Sequence, residues 1–122
     1  MVDHKTMFKN LAVGDIFHAE SPNRASLICL VVSIKRTTIQ ARTVTTQKYL
    51  EFNRETGVAE LGNEPVLCTI DSVVPLPEDI RNVILGIDEK FRLEKDLERL
   101  KLNDAEKRSL LYVDSYYSSN RL

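Results

Sequence analysis

The chain predicts an α+β fold: a small antiparallel β-barrel of about five strands over residues 13–76, followed by α-helices over 77–118 that pack on it within one domain. Three observations carry this. The stretch Ser26 to Thr46 reads as one β-hairpin, two strand-favouring runs split by the polar segment Lys35-Arg36-Thr37-Thr38. Five or six such short segments follow one another with tight turns between them, a spacing that favours closure because closure protects sheet edges. At Pro77 the hydrophobic period then changes from that of a strand to that of a helix.

Residues 1–12 form a loose or short helical lead-in, with Met7, Phe8 and Leu11 at helical spacing. Val13-Gly14-Asp15 makes a turn into a first strand at Ile16-Phe17-His18-Ala19, and Ser21-Pro22-Asn23 supplies the chemistry of the next loop. In the hairpin, Leu27 to Ile34 is nearly all apolar, which predicts burial on both faces. Ile39 to Thr45 alternates, which predicts burial on one. Gln47 to Asn53 alternates again, with Leu50 and Phe52 on one side and Tyr49 and Glu51 on the other. Arg54-Glu55-Thr56-Gly57 is a compact turn in which Gly57 suits the left-handed position. Val58 to Leu61 pairs back on this strand, Gly62-Asn63-Glu64-Pro65 breaks the ladder, and Val66 to Ile70 is the last strand.

Pro77 fits the first position of a helix and Glu78 and Asp79 complement its positive end. Ile80, Val83, Ile84, Ile87 and Phe91 fall on one stripe, so this helix packs on the barrel. Leu93, Leu97 and Leu100 extend it or form a bent second piece. Asn103 with Glu106 three residues on matches the capping-box pattern and starts a last helix to about Tyr117.

With 122 residues, 43% hydrophobic and 29% charged, the composition is that of a globular chain. A net charge of −1, with no strongly polarised segment, gives no overall field toward nucleic acid or anionic lipid. The N-terminus lacks the apolar core of a signal peptide and no run approaches the about 18 apolar residues of a membrane span, so a soluble, cytoplasmic protein without membrane contact is expected. Cys29 and Cys68 lie in predicted strands among apolar neighbours and read as buried, reduced thiols.

Chemistry leaves few marks. His4, His18, Cys29 and Cys68 show no paired metal-ligand spacing, and Asp15 and His18, three apart in a strand, point to opposite faces. No Gly-x-Ser-x-Gly elbow or phosphate-cradling glycine loop occurs. Asp15, Glu20, Glu51, Glu60 and Asp71 are carboxylates that any acidic barrel surface offers. The expectation is therefore no enzyme, no cofactor and no metal. For nucleic acid, Lys35, Arg36, Arg42 and Lys48, with Tyr49, gather cations and an aromatic around the hairpin, diluted by Glu51, Glu55 and Glu60. For a protein interface, Tyr112, Tyr116 and Tyr117 cluster in the last helix, the first two on one face; the alternative is that they pack the helix onto the barrel with Leu110 and Val113.

Val13-Gly14-Asp15-Ile16-Phe17 and Ile70-Asp71-Ser72-Val73-Val74-Pro75 resemble the opening and closing strands of Src-homology-3-like barrels, which include Tudor-type and KOW-type modules. The resemblance covers residues 13–76 and implies architecture and a binding rather than catalytic role. It carries no aromatic cage or peptide groove over, since the chain has no Trp. Compact chains of this size and charge also occur as accessory proteins of bacteria and phages. The expected function is a small non-enzymatic binding or adaptor protein acting through a protein partner or as a homo-oligomer; the alternative is a nucleic-acid-binding module built on the basic hairpin.

Overall fold

The computed structural model describes residues 4–21, 26–59, 68–96 and 98–121. It contains α1 (His4–Lys9), β1 (Ile16–Glu20), β2 (Ser26–Ile34), β3 (Thr38–Thr43), β4 (Tyr49–Asn53), β5 (Val58–Ala59), β6 (Cys68–Ser72), α2 (Glu78–Leu93) and α3 (Asp104–Ser119). The six strands close into an antiparallel barrel in sequence order, with β1 bonded to both β2 and β6. The shortest is the two-residue β5, held between β4 through Phe52 and Ala59 and β6 through Val58 and Thr69. The predicted loop at Pro22-Asn23-Arg24, the pairing of Glu60 and Leu61, the break at Gly62-Asn63-Glu64-Pro65, the strand start at Val66-Leu67, and Leu97 lie outside the described residues.

Strand periodicity sorts the side chains into two cores. Phe17 and Ala19 of β1, Cys29 and Val31 of β2, Ile39 and Ala41 of β3, Phe52 of β4 and Ile70 of β6 fill the barrel. Phe17 meets Phe52 edge to face, with ring centroids 5.2 Å apart. Phe8 and Leu11, from α1 and the turn after it, join this interior cluster. The outward residues Ile16, Ile28 and Leu30, with Val44 beyond β3, form a second core with Ile84 and Ile87 of α2 and Val113 and Tyr117 of α3. β2 thus contributes to both cores and β3 to one, its burial alternating along the strand as predicted.

Boundaries differ where side chains at strand ends turn to other partners. Val44-Thr45-Thr46, predicted to continue the third strand, is a turn: the Val44 amide keeps one bond to the Ile28 carbonyl while its side chain joins the outer core, and the Thr43 and Thr46 hydroxyls meet at 2.5 Å. Gln47 follows at φ 54° with its amide bonded to the Val44 carbonyl, so the next strand begins only at Tyr49. Pro77 is the N-cap of α2 rather than its first residue, and α2 ends at Leu93.

The capping box of α3 is present. Asn103 Oδ1 accepts from the Glu106 amide at 2.8 Å, and Glu106 Oε1 accepts from the Asn103 amide at 2.9 Å. The same carboxylate accepts from Lys90 Nζ at 2.6 Å, so the cap also ties α3 to α2. The Lys90 ammonium, then the Asn103 amide, hold the Glu106 carboxyl below its ordinary range.

Two predictions follow from these local devices. Gly57 sits at φ 73°, and a Cβ there would come within 2.6 Å of the Phe8 ring. Gly57→Ala should therefore cost about 2–4 kcal/mol from left-handed strain and ring displacement, read as a thermal midpoint lowered by about 10 °C. Because the Glu106 carboxyl is depressed in the folded state, its ionised form stabilises the fold above the ordinary glutamate range. That contribution is lost as pH falls through the folded-state value. Glu106→Gln, which keeps the cap acceptor, should lower the midpoint at pH 7, and the difference from the parent should shrink toward zero near pH 3.

Candidate functional site

The polar side chains divide into those spent at the seams between elements and those left on open faces. At the first seam, β3 meets α2. Arg42 Nε and Nη2 donate to Asp88 Oδ1 and Oδ2 at 3.1 and 2.6 Å, a two-pronged ion pair whose side chains are only 13% and 6% exposed. Gln47 Nε2 adds a bond to Asp88 Oδ1 at 2.9 Å, which its left-handed backbone makes reachable. Arg81 of α2 donates to the Gly14 carbonyl at 2.8 Å and fixes the other end of that helix.

At the second seam, β1, β6 and the end of α3 converge. His18 Nδ1 lies 2.5 Å from Asp71 Oδ1, and the imidazole rests on the Tyr117 ring with centroids 5.3 Å apart. His18 Nε2 and Asp71 Oδ2 are buried without a hydrogen-bond partner, although Arg121 Nε stands 3.8 Å from that carboxylate oxygen. Ser72 Oγ donates to the Asn120 carbonyl at 2.8 Å, and the Tyr117 hydroxyl donates to the Ile16 carbonyl at 3.3 Å. Tyr116 reaches the Pro75 carbonyl at 2.9 Å. These contacts fasten the last turn of α3 across the place where β1 closes on β6.

The residues predicted for nucleic acid are not gathered into one cationic face. Arg42 is spent on Asp88. Lys35 pairs with Glu51 at 3.3 Å, and the Thr38 hydroxyl donates to the same carboxylate at 2.7 Å; the hydroxyl, then the ammonium, hold Glu51 below its ordinary range. Arg36, Lys48 and Tyr49 are exposed, Tyr49 at 59%. Thr38, Glu51, Asn53, Thr56 and Val58 line an open groove of about 390 Å³.

The three tyrosines of α3 take three different positions. Tyr117 is fully buried, and burial pushes its phenol well above the ordinary range. Tyr116 is half-buried through its bond to Pro75. Tyr112 is 44% exposed and stacks on Tyr116 with centroids 5.8 Å apart. Of the three, Tyr112 and the open part of Tyr116 face solvent, and Tyr117 anchors the helix beneath. Beside them is a residue the sequence reading passed over, Leu111, at 69% exposure. The helix buries Glu106, Ser109, Val113 and Tyr117, and Leu111 falls opposite them.

Both cysteines are free and buried in the barrel interior. Burial pushes the Cys68 thiol up to about 11 and raises Cys29 too, so both stay protonated at neutral pH. Among the described residues no group of three His, Cys, Asp or Glu could hold a metal ion, and no helix is long and apolar enough to cross a membrane.

Asp88→Ala would leave the Arg42 guanidinium largely buried without its carboxylate. It should cost about 3 kcal/mol, seen as a lower urea midpoint at unchanged slope, while Arg42→Met with Asp88→Leu should recover most of the loss. Scanned against family models and compared with curated proteins and with solved structures, the chain finds no match.

Proposed function

We propose that this chain is a small non-enzymatic binding protein that acts through a protein–protein contact on the outward face of α3. The observation that carries it is the exposure of Leu111 at 69% beside the stacked Tyr112, on a helix whose opposite side is locked to the barrel. Tyr112 is of the aromatic type enriched at interface cores, and Leu111 adds apolar area beside it. The scaffold suits the task. Tyr116 and Tyr117 hold the helix by hydroxyl bonds to Pro75 and Ile16, so the face is presented with little ordering cost. An Src-homology-3-like barrel in a cytoplasmic accessory or adaptor protein is the setting in which we place it.

Leu111→Glu should leave the thermal midpoint and circular dichroism unchanged, because the side chain is in solvent. It should abolish the proteins retained by tagged bait from host lysate after nuclease treatment. Retention of the same partners by the variant would overturn the assignment of the face.

A second reading, nucleic-acid binding, draws on the exposed Arg36, Lys48 and Tyr49. The neutralisation of Arg42 by Asp88 and of Lys35 by Glu51 weighs against it. In the same experiment, partners that vanish with nuclease would transfer the function to the hairpin.

A further inference from the structure

We infer that the occupant of the α3 face is a second copy of this chain, docked antiparallel about a two-fold axis beside Leu111. This rests on the proposed use of that face and names its partner. The ground is the charge pattern around the leucine. Lys107 lies four residues before Leu111 and Asp114 three residues after it, and both are exposed. At 100° per residue they fall on the same edge of the face, within about 20° of each other, at heights of about 6 and 4.5 Å on either side of Leu111.

A two-fold perpendicular to the helix reverses height and preserves the edge, so it brings Lys107 of each copy opposite Asp114 of the other. The pairing occurs twice. On the second edge Arg108 meets Ser115, a neutral polar residue. A parallel arrangement would instead set Lys107 against Arg108 of the second copy, like against like. The side chains of Lys107, Arg108 and Asp114 are exposed and have no hydrogen-bond or ion-pair partner among the described residues. The face is therefore self-complementary in one orientation only, which is the requirement of an isologous dimer.

Its size sets the strength. One 16-residue helix with a single leucine at its centre buries less than the about 1,200 Å² at which stable complexes begin. The dimer is accordingly weak and concentration-dependent.

Sedimentation velocity on the full chain, from micromolar to millimolar concentration, tests this. The parent should move from 13.9 kDa toward twice that mass. Lys107→Glu and Asp114→Lys should each raise the dissociation constant about tenfold or more. Mixing these two variants should restore association, because the mixed dimer carries opposite charges at both positions. A parent that stays monomeric throughout would overturn the second copy as occupant; the lysate comparison with Leu111→Glu then decides the face independently. Association that Leu111→Glu abolishes but the charge variants leave unchanged would overturn the antiparallel pairing and keep the face. Association that survives Leu111→Glu would overturn both.

Discussion

β2 is apolar on both sides, and a barrel can bury only one of them. Cys29 and Val31 face inward to Phe17 and Phe52, while Ile28 and Leu30 face outward. Left in water, that outer patch would forfeit roughly 25 cal/mol for each Å² of apolar surface. α2 and α3 exist to cover it, and their buried residues Ile84, Ile87, Val113 and Tyr117 complete the second core. Apolar burial has no preferred angle, so the placement of the helices is fixed by polar ties at their ends. Arg42–Asp88 and Arg81–Gly14 set α2; Lys90–Glu106, Tyr117–Ile16 and Ser72–Asn120 set α3.

The exposed groups are those this covering leaves over. Arg42, Asp88, His18 and Asp71, the groups best suited by type to binding or catalysis, are drawn into the seams where strands and helices meet. The outer face of β3 and β4 keeps a polar groove whose carboxylate is already satisfied by Thr38 and Lys35. The outward side of α3 keeps a leucine, a stacked tyrosine pair and exposed charges that form no hydrogen bond or ion pair among the described residues.

The hairpin, its two burial patterns, the left-handed glycine turn and the α3 capping box were legible in the sequence, because each depends on residues within a few positions of one another. Arg42–Asp88 and His18–Asp71 were not, since they join residues 46 and 53 apart and closure alone brings them together. Asp88 did leave a trace: an acidic residue directly after Ile87, on the buried side of the α2 stripe, implies a cationic partner. The tyrosines were readable as a group but not individually, because which of them is anchor and which is surface depends on the roll of α3 about its axis. Leu111 was hidden among Leu110, Tyr112 and Val113, a run too apolar for periodicity to show which residue faces out.

The contact between Tyr117 and Ile16 spans 101 residues, and it lies beside the junction of β1 with β6. Of the two described helices that shield the outward side of β1 and β2, α3 is therefore the later to leave the ribosome. Until α3 emerges, Ile16 and His18 have no Tyr117 to rest against. Contacts this distant along the chain slow folding. The nascent barrel thus passes through a stage with that greasy flank covered by α2 alone, and its escape from aggregation during synthesis depends on how quickly α3 arrives.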